Sequence, residues 1–164
     1  TYPFVPADFE IPSVLETESY RLRMLTINDL VKDFDAVVSS SEKLKEIWPD
    51  STWPSGLTLE ENLIDLGWHQ REFTKRRSFA YTVVALDETK VLGCVYINPT
   101  IKKEHDAEVY LWARTSEHKT DLTDEQLMTT VENWVAQDWP FLNPAFPGKK
   151  IPWDVWNQLE EAKR

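Results

Sequence analysis

The chain has 164 residues, enough for one domain with a hydrophobic core, and its 18 Lys and Arg against 28 Asp and Glu give a formal net charge of -10. This deficit of cations excludes a broad nucleic-acid surface and disfavours binding to an anionic membrane, because both need clustered positive charge. The four glycines are widely spaced, so a glycine-rich phosphate loop of the Walker or Rossmann type is excluded as well.

The first elements predicted are an arm, a strand and a helix. Residues 1–14 hold three prolines and are expected to form an extended arm. Apolar and polar residues alternate over 20–25, which predicts a strand. Thr26 and Asp29 predict the start of a helix, and the helical spacing of apolar residues predicts one inner face, made of Leu30, Val31, Phe34, Val37 and Val38.

A second helix and a hairpin are predicted next, after a loop at 48–57. Thr58 and Glu61 have the spacing of a capping box, in which each side chain accepts a hydrogen bond from the other residue's backbone N–H. The inner face of this helix is predicted to contain Leu59, Leu63, Leu66 and Phe73. Two β-prone runs follow at 79–86 and 91–98, and the short polar segment between them predicts a hairpin.

The remaining elements are a strand at 107–113, a helix, a strand at 141–146 interrupted by Pro144, and a helical tail at 151–164. Thr123 and Gln126 form a second capping-box pattern, and the helix that they begin is expected to bury Leu127, Met128, Val131, Trp134 and Val135. The element order β-α-α-β-β-β-α-β predicts a single domain over 1–164 of the α/β (α+β) class, with a mixed, largely antiparallel sheet flanked by helices.

The cysteine content indicates the redox state of the compartment in which the protein is expected. Cys94 is the only cysteine, so no internal disulfide can form, and we expect a protein of a reducing compartment, the cytoplasm. It lies in an apolar run, which favours a buried, inert thiol over a nucleophile. No run of apolar residues is long enough for a membrane span, and no signal-peptide pattern opens the chain.

Two segments resemble the GNAT superfamily of N-acetyltransferases, most closely the branch of the ribosomal-protein N-terminal acetyltransferases. Residues 15–30 are similar to the first strand and helix start of that branch, with the sequence LETESYRLRMLTINDL. Residues 107–112, AEVYLW, are similar to its fourth strand, and the helix from Thr123 follows where the family has its cofactor-binding helix. The resemblance implies a GNAT fold that binds acetyl-CoA and transfers the acetyl group to a small-molecule or peptide amine.

The resemblance also implies positions for the cofactor. The pantetheine arm would lie along the strand edge formed by Leu111, Trp112, Ala113 and Arg114. The pyrophosphate would lie on the loop and helix start that contain Lys119, Leu122 and Thr123. Glu108 would be the general base for the amine, and the alternative is a strand carboxylate without a chemical role.

The phosphate loop departs from the family pattern. At 118–123 the sequence reads HKTDLT, with Asp121 where the family has its first glycine. Asp121, Asp124 and Glu125 bring negative charge to this helix start, so a pyrophosphate meets repulsion unless Arg114 and Lys119 compensate. The alternative function is therefore a GNAT-fold domain that has lost acetyl-CoA binding and serves as a ligand- or protein-binding module.

The remaining candidates are aromatic and histidine residues. Trp48, Trp53 and Trp68 either line a pocket for an apolar or cationic ligand or close the end of a small core. The three histidines are far apart and show no metal-ligand spacing, so no metal is expected. The sequence does not reveal the oligomeric state or the identity of the acceptor.

Overall fold

A computed structural model describes residues 2–163; Thr1 and Arg164, which the predicted arm and tail include, lie outside the described residues. The sheet has six strands in the order β1-β2-β3-β4-β5-β6. Neighbouring strands are antiparallel from β1 to β5, and β6 runs parallel to β5, which confirms the predicted mixed, largely antiparallel sheet. The strands are β1 (Val14–Glu16), β2 (Tyr20–Met24), β3 (Phe79–Ala85), β4 (Val91–Asn98), β5 (Ala107–Ala113) and β6 (Pro144–Ala145).

Five α-helices accompany the sheet within residues 2–163, and a single 3-10 turn at Ile27–Asp29 precedes the first. Both predicted helix starts after the loops are present: the Thr58 side chain accepts a hydrogen bond from the Glu61 N–H, and Thr123 and Gln126 form a complete capping box. The helices are α1 (Leu30–Ser39), α2 (Ser41–Leu44), α3 (Leu59–Thr74), α4 (Asp124–Asp138) and α5 (Trp153–Asn157).

The sheet separates two hydrophobic cores. Because successive side chains of a strand point to opposite faces, β5 places Val109 and Leu111 in one core and Tyr110 and Trp112 in the other. The first core lies under α4, and the second lies under α1 and α3. The cleft described below lies at the edge of the sheet, within reach of side chains from both faces.

The N-terminal segment differs from the extended arm that was predicted. It contains a turn in which the Phe9 N–H donates to the Pro6 carbonyl, and its last residue, Val14, begins β1. Val5 is only 2% exposed and belongs to the core under α4. Apolar contacts with this core therefore hold the segment in place. The prolines of the segment alone do not indicate such contacts.

The buried faces of α1 and α3 also differ from the predicted ones. Val31 is 72% exposed, whereas Asp33 is buried and accepts a hydrogen bond from the buried Asn62 of α3 at 2.9 Å. Leu59 and Leu63 of α3 are exposed as well. The sides of α1 and α3 that pack against each other and against the sheet thus contain polar residues. The spacing of apolar residues alone does not identify those sides.

The C-terminal segment has less regular structure than predicted. The predicted strand at 141–146 is reduced to β6, which contains Pro144 instead of being interrupted by it. The predicted helical tail is reduced to α5, and Glu161 pairs with Lys102 beyond it. Within residues 2–163, no helix has the length and apolar character needed to cross a membrane.

Candidate functional site

A cleft of about 480 Å³ opens where β5 and β6 separate. The two strands pair only through 107–108 and 144–145, so the rest of the β5 edge is free of β6. The turn after β6 contains Gly148 at φ 77°, a left-handed conformation that glycine adopts without strain. The cleft is lined mainly by α2, β5, the start of α4 and this turn, with Lys43, Lys45, Tyr110, Leu111, Asp124, Lys149 and Trp153 among its residues.

The β5 edge presents backbone groups to the cleft. The Arg114 N–H donates to the Leu92 carbonyl of β4. Because N–H groups along a strand alternate between its two sides, those of Leu111 and Ala113 point away from β4, toward the cleft. The Ala113 N–H donates to Asp124 Oδ1 at 2.8 Å, so the chain's own carboxylate occupies part of the edge predicted to hold pantetheine.

Asp124 joins three elements at one end of the cleft. Besides the Ala113 N–H, its carboxylate contacts Lys43 Nζ at 2.8 Å and Lys149 Nζ at 3.7 Å. Lys43 Nζ also donates to the Ala113 carbonyl. With Lys45, the cleft is lined by three lysines, against the two carboxylates of Asp124 and Glu46, so its lining carries one net positive charge.

The predicted phosphate loop is closed by its own side chains. Asp121 Oδ2 accepts hydrogen bonds from the N–H groups of Glu117 at 2.8 Å and His118 at 3.0 Å, and these bonds lower the pKa of Asp121. The Gln126 side chain accepts from the Thr123 N–H, and Thr123 Oγ1 accepts from the Gln126 N–H. The N–H groups of Glu117, His118 and Thr123 therefore already have partners within the chain.

The other residues predicted for the cofactor lie apart from one another. The Arg114 guanidinium is buried against β4, where it donates to the Val91 carbonyl at 3.0 Å and pairs with Asp35 at 3.2 Å, away from the loop. Lys119 is exposed, and Leu122 packs against the core under α4. The Trp112 indole is buried in the other core and donates to the Tyr96 hydroxyl.

These contacts determine whether the phosphate end of acetyl-CoA can bind at the predicted loop. Asp121 and Asp124 accept from the N–H groups of Glu117, His118 and Ala113, and the Arg114 guanidinium does not face the loop. The lysines near the two aspartates are already paired with carboxylates, Lys43 and Lys149 with Asp124 and Lys90 with Glu117. A pyrophosphate would have to displace these carboxylates and bind beside them. The residues at this end therefore do not fit the pyrophosphate in the way that the family resemblance implies.

Glu108 is connected to the cleft by a hydrogen bond to Tyr110, a residue that the sequence did not indicate as functional. Its Oε1 accepts a hydrogen bond from the Tyr110 hydroxyl at 2.5 Å, and Tyr110 lines the cleft. Burial and the hydrogen bond to Glu108 raise the pKa of Tyr110. The Trp153 ring stacks on Tyr110 with 6.3 Å between centroids. The i, i+2 spacing of Glu108 and Tyr110 on a strand is the signal that could have paired them.

A second, smaller pocket of about 220 Å³ lies between α1, α3 and the face of β4. Trp48 forms an aromatic wall with Trp53 and Tyr96, at centroid distances of 5.5 and 5.1 Å. Trp48 also contacts Tyr110, at 5.4 Å, and so separates this pocket from the cleft. Trp68 is 53% exposed and does not line the pocket, whose polar residues are Asp33, Ser51, Asn62, Asp65 and His69.

The titratable groups of this pocket are affected by burial. Burial raises the pKa of Asp33 to about 6 and, with the nearby Glu61, raises that of Asp65. Burial lowers the pKa of His69 to about 4, so this imidazole is neutral at physiological pH. Burial also raises the pKa of Cys94, in agreement with the inert thiol that was predicted. Among residues 2–163, no group of three or more His, Cys, Asp or Glu is placed to hold a metal ion.

Solved structures similar to this fold are acetyltransferases. They include the ribosomal-protein-S5-alanine acetyltransferase of Vibrio fischeri, with a TM-score of 0.57, 15% identity, and coverage of 76% of this chain and 68% of the other. An acetyltransferase from Salmonella typhimurium that modifies the N-terminal serine of ribosomal protein L7/L12 has a TM-score of 0.55, 12% identity and coverages of 74% and 67%.

A third similar structure is a microcin C7 self-immunity acetyltransferase in complex with acetyl-CoA and AMP, with a TM-score of 0.57, 12% identity and coverages of 77% and 66%. Each match spans about two thirds of the other protein's length. No family model and no curated protein sequence matches the chain. At these identities the likeness concerns the fold, and the chain has the GNAT acetyltransferase fold.

Proposed function

We propose that the protein is an acyltransferase that acts on an amine at the cleft between β5 and β6. The observation that carries the proposal is the Glu108–Tyr110 pair, because it places a carboxylate one hydrogen bond away from the cleft. The free Leu111 edge lies in the same cleft. Lys43, Lys45 and Lys149 line the cleft and could meet the negative charge of an acyl donor if they exchange their present carboxylate partners, Asp124 and Glu42, for it.

The proton transfer follows from this geometry. The Tyr110 hydroxyl donates its proton to Glu108, so its oxygen lone pairs are free to accept a hydrogen bond from an amine in the cleft. As the amine nitrogen bonds to the acyl carbon of a thioester donor, the bond between that carbon and the donor's sulfur would break, and the sulfur would leave as a thiolate. The amine proton passes to the Tyr110 oxygen while the phenolic proton passes to Glu108. The net result is one proton moved from nitrogen to the Glu108 carboxylate, with Tyr110 as the relay that contacts the amine.

Replacing Glu108 tests this proposal. The Glu108→Gln variant keeps an oxygen that can accept from Tyr110 but cannot take up a proton, so we expect acetylation of n-butylamine by acetyl-CoA to slow about 100-fold. The product is measured by mass spectrometry. Glu104→Gln, which removes the same charge from the exposed loop before β5, is expected to leave the rate unchanged. Equal rates for wild type and Glu108→Gln, or no product above the uncatalysed rate, would contradict the proposal.

A second candidate function is a GNAT-fold module that binds a ligand or protein without using acetyl-CoA. The hydrogen bonds of Asp121 and Asp124 to the loop and strand N–H groups favour it, because these bonds lie where the family resemblance implies phosphate and pantetheine. In this case calorimetry with about 1 mM acetyl-CoA shows no binding to the wild-type protein. A dissociation constant in the micromolar range rejects this candidate.

Replacing the same two aspartates is expected to increase the affinity for acetyl-CoA. Combining Asp121→Gly with Asp124→Ala frees the N–H groups of Glu117, His118 and Ala113 and removes two negative charges, so we expect acetyl-CoA to bind at least about tenfold more tightly. The control, Glu125→Ala, removes a charge from the same helix start without freeing a strand or loop N–H. If the double variant binds no better than this control, occupation of the amides is not what opposes acetyl-CoA.

A further inference from the structure

We infer that the pocket between α1, α3 and β4 is a binding site for a small organic ammonium ion, with the Asp33 carboxylate as its counter-ion. Nothing in the acyl-transfer proposal requires this, and the inference is tested without an acyl donor.

The first argument is the state of Asp33. It is 4% exposed and lines the pocket, and its Oδ2 accepts from Asn62 Nδ2 at 2.9 Å. No Lys, Arg or His within residues 2–163 forms an ion pair with it. A buried carboxylate without a cationic partner is costly, and a cation in the pocket would offset that cost.

The second argument is the chemistry of the walls. Trp48, Trp53 and Tyr96 present aromatic rings to the pocket, and a cation is attracted to the face of such rings. Asp65 adds a second carboxylate, and no cation within the described chain pairs with it either. The combination of rings and carboxylates selects a positive ligand and opposes a negative one, in contrast to the lysine-lined cleft.

The third argument is size and hydrogen bonding. A volume of about 220 Å³ is roughly that of seven water-sized groups, which suits a ligand with a handful of heavy atoms. The His69 imidazole is neutral and can accept a hydrogen bond, as can Asp33 and Asp65. An ammonium group with N–H donors uses these acceptors, so we assign a primary ammonium ion to the site.

The test compares probes of equal shape and different charge. We expect n-butylammonium to bind with a dissociation constant in the millimolar range or tighter, by calorimetry near pH 7.5 and by shifts of the Trp48 and Trp53 indole N–H resonances. The uncharged n-butanol and the anion butyrate are expected to bind at least about tenfold more weakly. Equal affinity for n-butanol shows an apolar cavity and overturns the inference, as does the absence of n-butylammonium binding at about 10 mM.

A matched pair of variants locates the charge that matters. Asp33→Asn retains an oxygen that can accept from Asn62, and it is expected to bind n-butylammonium at least about tenfold more weakly. Glu60→Gln removes a charge from the exposed side of α3 and is expected to bind as the wild type does. Circular dichroism of both variants verifies the fold. Unchanged affinity in Asp33→Asn would show that the carboxylate is not the counter-ion.

Discussion

Single residues decide the charge balance inside the domain, and Asp33 is the clearest example. Its carboxylate is removed from water, and the neighbouring charges of Asp29 and Asp65 add repulsion to the cost of burial. The Asn62 amide compensates only in part. Burial therefore raises the pKa of Asp33 to about 6, above its ordinary value of 3.8.

The raised pKa predicts how stability depends on pH. The folded chain holds the Asp33 proton more tightly than the unfolded chain, so this group's contribution is greatest below pH 3.8 and is lost as pH rises through about 6. Above that pH the ionised carboxylate costs about 3 kcal/mol. Asp33→Asn has no such carboxylate, so we expect it to be more stable than wild type near pH 7.5 and about equally stable near pH 4.

Urea unfolding at several pH values measures this difference. Of the other titratable groups around Asp33, Asp29 is paired with Arg23, Cys94 and Tyr96 on β4 stay protonated, and Asp65 is present in both proteins. The pH-dependent difference between the two proteins therefore reports on Asp33. A constant difference from pH 4 to 7.5 would show that the carboxylate does not titrate on folding.

At the scale of elements, the pairing of β4 with β5 positions the cleft. Gly93 of β4 lies opposite Ala113, the last residue of β5 and the one whose N–H binds Asp124. A Cβ atom added at Gly93 would lie 2.1 Å from the backbone oxygen of Trp112. The close approach of these two strands therefore requires glycine at this position.

Gly93→Ala is accordingly expected to destabilise the protein by about 3 kcal/mol, because backbone atoms of β5 must move to admit the methyl group. Chemical denaturation measures the change. Gly67→Ala is the matched control: this glycine lies within α3 and its added Cβ would come no closer than 3.8 Å to Ile27, so the substitution is expected to stabilise by about 0.5–1 kcal/mol. Similar stability of the two variants would contradict the strand-contact argument.

The whole molecule combines a GNAT fold with a site that departs from the binding mode implied by that fold. Two cores enclose the sheet, and the N-terminal segment covers part of one of them, where Phe4 stacks on Phe79 and Arg76 donates to the carbonyls of Pro6 and Phe9. The fold preserves the strand separation that makes the cleft. Function depends on the side chains placed in it, since one fold supports many activities.

Much of the fold was predictable from local patterns. Alternation located β2, runs of β-prone residues located β3, β4 and β5, and the Thr58 and Thr123 patterns located the starts of α3 and α4. β1 and β6 were not predictable at their observed lengths, because three- and two-residue strands exist only through pairing with a neighbour. The buried side of α1 was predicted only in part: Val37 is buried as expected, but Val31 and Val38 are exposed and Asp33 is buried. Local spacing could not show this, since the Asp33–Asn62 hydrogen bond joins positions 29 residues apart.

The candidate site, like the fold, could be predicted from the sequence only in part. The sequence by itself determined that no glycine-rich phosphate loop exists and that Glu108 lies on a strand, because these are properties of residue type and local spacing. The resemblance to the GNAT family implied in addition that Asp121 replaces a loop glycine. Only the tertiary structure decided that Asp121 and Asp124 occupy backbone N–H groups, that Arg114 faces β4, and that an aromatic pocket encloses Asp33. Those outcomes depend on which distant groups reach hydrogen-bonding distance and which are removed from water, and chain packing alone determines both.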